Sequence, residues 1–246
     1  MNLSDVVTIL EEIAPPELAE DFDIGKIGLT LDLENDIRKI AVALDPTHYV
    51  LKRASDIGAD LLITHHTLIF DAVNQINKSL ADVLKIALDS NISLYSMHTN
   101  YDRAKGGIND ILARRIGLSN IEEIDIGRIG TISPCPAETF LNHVAKSLDT
   151  HVWFTGRKEE VSKVMVFGGS GFKGEFLEIA QEHGVDAYVS AELKHDIIRS
   201  WEDILLVDAT HYATENPGME ELCPRLEDRL GLDVEFIDHN PFIKTL

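Results

Sequence analysis

The sequence predicts an α/β protein of two similar lobes, with mostly parallel sheets packed around a shared cleft. Three observations lead there. Short, continuous apolar runs alternate with segments of helical period, as expected of strands buried on both faces between covering helices. The two halves echo each other: Gly58-Ala59-Asp60 precedes one apolar run and Gly184-Val185-Asp186 another, while Ile116-Gly117-Leu118 and Leu230-Gly231-Leu232 each close a helix. Histidines and carboxylates follow directly on several runs, at the carboxyl ends of strands where open α/β sheets place their sites.

Taken in order, Leu3, Val6, Val7, Leu10 and Ile13 share one helical face, with Ser4 as a cap and Pro15-Pro16 as a stop. Residues 40–44 form an apolar strand, and Val50, Leu51, Ala54 and Ile57 mark the helix that follows. The strand at 61–63 leads to a helix through Leu80, Val83, Leu84 and Ala87, then to the strand at 92–97. A helix through Ile108, Ile111, Leu112 and Ile116 ends at Gly117. The second half repeats the scheme with strands at 164–167, 187–190 and 204–207. Its helices lie at 175–183, near Ile197, and through Met219, Leu222, Leu226 and Leu230. The repeated parts are residues 36–120 and 160–240. Between them, residues 124–131, a helix after Pro136 and residues 152–155 are expected to add edge strands and a helix. As domains, this gives a first lobe over 1–125 and a second over 126–246 that includes the connecting segment. No low-complexity linker separates them.

Composition narrows the function. The chain has 22 Lys+Arg against 42 Asp+Glu, a formal charge of −20. Generic nucleic-acid binding needs cationic side chains to neutralise phosphates, and an anionic membrane needs the same, so both are disfavoured. No apolar run approaches the ~18 residues of a membrane span, and the first residues lack the pattern of a secretion signal. The two cysteines, Cys135 and Cys223, have no ligand-type spacing, so free thiols in a reducing cytoplasm are expected.

The chemistry resides in histidine. Leu61-Leu62-Ile63-Thr64-His65-His66 puts adjacent imidazoles at a strand end. In Ser96-Met97-His98-Thr99-Asn100-Tyr101-Asp102, His98 stands four residues before Asp102. In Asp208-Ala209-Thr210-His211-Tyr212-Ala213-Thr214-Glu215 the same spacing separates His211 from Glu215, which on a helical turn places both on one face. Imidazole with carboxylate and no thiolate suits Zn, Fe, Mn or Ni in a reactive site rather than a structural zinc site. So many candidate ligands exceed the needs of one ion with an open position. Two divalent ions sharing a bridging carboxylate fit better.

The segments Gly58-Ala-Asp-Leu-Leu-Ile-Thr-His-His-Thr-Leu-Ile-Phe70, His98-Thr-Asn-Tyr-Asp102 and Asp208-Ala-Thr-His-Tyr-Ala-Thr-Glu215 resemble the signatures of the NGG-interacting-factor-three-like family, also called GTP cyclohydrolase I type 2-like. The resemblance covers almost the whole chain in the family's short form. It implies a dinuclear metal site with His65, His66, Asp102, His211 and Glu215 as ligands and Glu215 as the bridge. It makes His98 a neighbouring substrate or proton-transfer residue. It also implies a homohexameric ring. One departure is Phe22-Asp23-Ile24-Gly25-Lys26-Ile27-Gly28, where the family has a Trp-Asn-Val-Gly-Leu-like stretch; if that loop shapes the pocket, substrate preference differs.

Residues 168–174, Gly-Gly-Ser-Gly-Phe-Lys-Gly, formally match G-x-G-x-x-G from Gly169. A tight strand-to-helix turn is the simpler reading than a dinucleotide site. By the resemblance the loop approaches the metal cleft, where its amides could hold an anionic group. Glu192 and His195, in Ser190-Ala-Glu-Leu-Lys-His195, are expected nearby, Glu192 beside His98 as a proton carrier. The expectation is a cytoplasmic metal-dependent hydrolase of a small anionic or nucleotide-like substrate. A guanine-nucleotide ring-opening enzyme and a non-catalytic metal-binding assembly or regulatory protein are the alternatives.

Overall fold

A computed structural model describes residues 1–240. The chain forms two compact units, Met1–Lys105 with Met219–Leu246 and Gly106–Gly218.

In the first unit, the five-stranded sheet consists of β1 (Gly28–Leu31), β2 (Lys39–Ala43), β3 (Leu61–Thr64), β4 (Ser93–Ser96) and β11 (Asp233–Phe236), in the order β1-β4-β3-β2-β11. Every pair is parallel except β1 with β4. Ala41, Ala43, Leu62 and Leu94 of the strands pack with Val50, Leu51 and Ala54 of α2 (His48–Asp56) and with Val83 and Ala87 of α3 (Lys78–Asp89). The expected apolar runs and helices are all present. The sequence did not indicate β1 and β11. Both are four-residue edge strands, too short and too mixed in polarity to stand out from loops. Helix α1 (Leu3–Ile13) is capped by Asn2 rather than Ser4: the Asn2 side chain accepts from the Asp5 amide and from the Ser4 hydroxyl, satisfying an end donor that the helix leaves open.

In the second unit, six strands lie in the order β5-β6-β8-β9-β10-β7. They are β5 (Ser119–Ile124), β6 (Gly127–Pro136), β7 (Trp153–Thr155), β8 (Glu160–Val166), β9 (Ala187–Ser190) and β10 (Leu205–Asp208). Only β8-β9 and β9-β10 are parallel, so "mostly parallel" holds for the first sheet and not for this mixed one. The reason is local: Asp125, at φ +50°, and Ile126 alone join β5 to β6, and a link that short closes only an antiparallel pair. Strand β6 is therefore interior, and β5 and β7 are the edges. One face buries Val164, Val166, Val189 and Val207; the other buries Met165, Tyr188 and Leu206, which explains the unbroken apolar runs.

The two echoed Gly-x-Asp segments do the same work. Asp60 accepts from the Arg38 and Lys39 amides at the start of β2, and Asp186 from the Ser162 and Lys163 amides in β8. The main chains match too: Asp60 and Asp186 donate to Lys39 and Lys163, and their carbonyls receive Ser93 and Leu205. Among the described residues no helix is long and apolar enough to cross a membrane, and both cysteines are free thiols.

Candidate metal centre

In the first unit, β2, β3 and β4 end side by side. Beyond β3, the His65 and His66 amides both donate to the Leu44 carbonyl, and the Thr64 hydroxyl reaches the His66 carbonyl. This turn brings two adjacent imidazoles to one side, with ring centroids 5.0 Å apart. Beyond β4, His98 caps the short helix α4 (Thr99–Arg103). The Asp102 amide donates to the His98 carbonyl, so the four-residue spacing is one helical turn. The rings of His65 and His66 lie 5.0 and 5.6 Å from that of His98, and one ligand atom from each of the three falls within a 4.8 Å cluster. His65 and Asp102 are buried, with His65 Nε2 3.6 Å from Asp102 Oδ1.

In the second unit, β10 ends at Asp208 and a long helix (His211–Leu230) starts three residues later. Asp208 ties the junction together by accepting from the Leu193 and Thr210 amides. Thr210 and Glu192 both take left-handed backbone conformations, at φ +67° and +62°. For a β-branched threonine that is a strained state, maintained only where its surroundings enforce it. The two strained residues flank His211, whose Nδ1 donates to Glu192 Oε1 at 2.7 Å and whose Nε2 is 2.9 Å from Glu215 Oε2. Glu215 is buried. Burial would raise the Glu192 carboxyl, but hydrogen bonds from His211 and Ser170 outweigh it and hold it below the ordinary range. His195, by contrast, opens a short helix (His195–Ile198) on an exposed turn.

The glycine-rich loop differs from its expected role. The Gly168, Gly169 and Gly171 amides are already given to Asn109 Oδ1, Thr214 Oγ1 and Ser190 Oγ, so they do not form an anion cradle. The loop instead allows close approach. Gly169 has φ +67°, and a β-carbon there would stand 2.0 Å from Glu215 Oε1 and 3.0 Å from His211 Nε2.

The imidazoles share one arrangement. Nδ1 of His65 faces the Met97 carbonyl at 2.9 Å, Nδ1 of His66 faces Asp45 at 2.6 Å, Nδ1 of His98 faces Asp23 at 2.8 Å, and Nδ1 of His211 faces Glu192. A carbonyl or carboxylate only accepts, so each Nδ1 carries a proton, as the outward-facing ring nitrogen of a metal-binding histidine does. Asp23 is wholly buried. Burial alone would raise its carboxyl, yet bonds from His98 and Thr99 hold it low. The sequence gives no role to Asp23, Asp45 or Asp208, and reads Gly169 only as part of a tight turn or anion-holding loop. Asp45 and Asp208 do stand at strand ends, a signal that could have found them. Asp23 reaches His98 from 75 positions away and carries no such signal.

The donor set fits metal. Two N/O ligands about 2.1 Å from one ion, at 90–120°, stand roughly 3.0–3.6 Å apart. The His211–Glu215 and His65–Asp102 separations are 2.9 and 3.6 Å. Together the clustered His, Asp and Glu side chains make sites for two divalent metal ions, as the sequence leads one to expect.

The chain is similar to known proteins over almost its whole length. A "GTP cyclohydrolase 1 type 2 homolog" of Methanocaldococcus jannaschii is 33% identical over 97% of this chain and 100% of its own length. One of Clostridium perfringens is 32% identical over 96% and 95%. Reduced HcgD from M. jannaschii superposes with a TM-score of 0.86 at 32% identity, covering 97% of this chain and 98% of that one. Staphylococcus aureus protein SA1388, at 23% identity and a TM-score of 0.91 over 100% and 99%, shares the fold. The Duf34/NIF3 (NGG1p interacting factor 3) profile matches residues 1–241, and the chain belongs to that family.

Proposed function

We propose that His65, His66, Asp102, His211 and Glu215 hold two divalent ions as one dinuclear centre, with Glu215 as the bridge, in the shared cleft expected from the sequence. We further propose that the protein uses this centre hydrolytically on a small nucleotide-like substrate. The carrying observation is that each imidazole has its Nδ1 fixed on an oxygen, the arrangement by which metal-binding histidines are oriented toward their ion. Bound divalent ions would polarise a substrate oxygen and acidify water. His98, held by Asp23, is placed to take up and return a proton at Nε2. Glu192 orients His211 and keeps its tautomer, and at the exposed surface it is also a proton carrier.

The relatives' name directs the first choice of reaction to hydrolytic opening of the guanine ring, with formate as the released product. The test is metal-loaded protein incubated with GTP. Formate released by the wild type and not by a His98→Ala variant that retains metal supports the reading. Absence of a metal-dependent rate overturns it. A second reading, a metal-binding assembly or regulatory protein without turnover, is favoured by the near-complete burial of His65, Asp102 and Glu215, since closed ligand sets are typical of structural sites. A ring of six chains in the cytoplasm accompanies both readings.

A further inference from the structure

The two left-handed turns beside His211 share one anchor. Among the described residues, left-handed positions not occupied by glycine are filled by Asn or Asp, which tolerate that region, except at Glu34, Glu192 and Thr210. Glu192 and Thr210 meet at His211. For glutamate, and more so for a β-branched threonine, this backbone is costly and persists only where the surroundings enforce it. The enforcing group is Asp208, the last residue of β10. Its Oδ2 accepts from the Leu193 amide at 2.8 Å, directly after Glu192, and its Oδ1 accepts from the Thr210 amide at 3.0 Å. One carboxylate therefore fixes the main chain on both sides of the Glu192–His211 hydrogen bond. Thr210 passes the constraint on. Its hydroxyl accepts from the Ala213 amide at 3.3 Å and its carbonyl from the Thr214 amide at 3.2 Å, in the first turn of the helix that carries His211 and Glu215.

We propose that Asp208 is a positioning residue for His211. It is a clamp that imposes the left-handed backbone at Glu192 and Thr210, and so sets the His211 imidazole between Glu192 and Glu215. Its side-chain hydrogen bonds go to main-chain amides, so it acts through the backbone and not by touching the imidazole. A neutral amide is no substitute, because asparagine accepts through one oxygen only and gives up one of the two turns. The consequence for metal rests on the reading of His211 and Glu215 as ligands; the clamp itself does not. Glycine takes the left-handed backbone without strain. If Asp208 works by imposing that backbone, Thr210→Gly restores part of what Asp208→Ala removes, and Thr210→Ala does not.

Two readings on the same variants test this. One is release of Zn2+ from zinc-loaded protein to a competing chelator. The other is the nitrogen chemical shifts of the His211 imidazole in metal-free protein, followed through its carbon-bound ring protons and assigned with His211→Gln. Asp208→Ala is expected to give up Zn2+ about tenfold more readily or more, and to shift His211 Nδ1 away from its protonated value in the wild type. Asp208→Asn should fall between the two. Thr210→Gly alone should match the wild type, and Asp208→Ala/Thr210→Gly should recover toward it in both readings. Wild-type zinc retention and imidazole shifts in Asp208→Ala overturn the clamp. So does a double variant no better than Asp208→Ala, which leaves Asp208 a merely structural role. If Asp208→Ala does not fold, Asp208→Asn with and without Thr210→Gly decides in the same way. Wild-type protein that binds no Zn2+, in a series that still shows the imidazole recovery, contradicts the metal centre and upholds the clamp.

Discussion

Single residues determine whether the imidazoles are ligands at all. Asp45 faces His66 through one hydrogen bond; removing such a partner from a metal-bound histidine costs about 10–100-fold in affinity. Asp45→Ala is therefore expected to release metal to a competing chelator that much more readily, and unchanged retention would deny Asp45 that role. Gly169 is equally demanding. In Gly169→Ala the new methyl meets the Glu215 carboxylate, and the left-handed backbone adds about 1 kcal/mol of strain. The expected result is a lower melting temperature together with lost metal. If Glu215 moves aside at no cost, melting and metal content stay as in the wild type. The proposed ligands were legible because each follows an apolar run or recurs at helical spacing. The supporting oxygens of Asp23 and Asp45, and the contact of Gly169 with Glu215, arise through tertiary packing, which local sequence patterns do not encode.

At the scale of elements, a duplicated motif carries the architecture. The repeated Gly-x-Asp was visible as text, and its physical content is a carboxylate that holds two successive amides of the neighbouring strand. Burial would raise both carboxyls, but hydrogen bonds from Arg38 and the Arg38 and Lys39 amides hold Asp60 low, and those from Lys163, Lys158 and Ser162 hold Asp186 low. A folded value below the unfolded one contributes stability fully above the unfolded value of about 3.9, and that contribution disappears as pH falls through the lower folded value. Asp60→Ala and Asp186→Ala should each cost about 2 kcal/mol or more near neutrality, since they orphan strand amides. In denaturant titrations at decreasing pH, the charge-dependent part of that difference should disappear, so the gap to the wild type should narrow. A constant difference down to about pH 2 would show that charge is not the source. The edge strands β1 and β11 and the antiparallel placement of β6 escaped the sequence for a different reason. Short strands have too few alternations to read, and pairing direction depends on the length of the link rather than on the strand's own residues.

At the scale of the whole molecule, the charge of −20 has two components. Most of it is charge of the same sign as nucleic-acid phosphates, which opposes generic binding to them. Asp102 and Glu215, by contrast, are buried among imidazoles, where divalent ions would offset them and create a locally positive patch for a small anion. Metal that binds only the folded chain stabilises it by about 2.7 kcal/mol at a hundredfold excess over its dissociation constant. For a chain of this size that corresponds to roughly 5–10 °C, so a chelator should lower the melting temperature by about that much and added metal should restore it. The central claim is tested most directly by elemental analysis of protein purified without added metal or chelator, beside a His65→Ala/Glu215→Ala double variant. The account predicts close to two divalent ions per wild-type chain and loss of metal in the variant. Metal-free wild-type protein with no affinity for added ions, or a variant that retains its full complement, would contradict it.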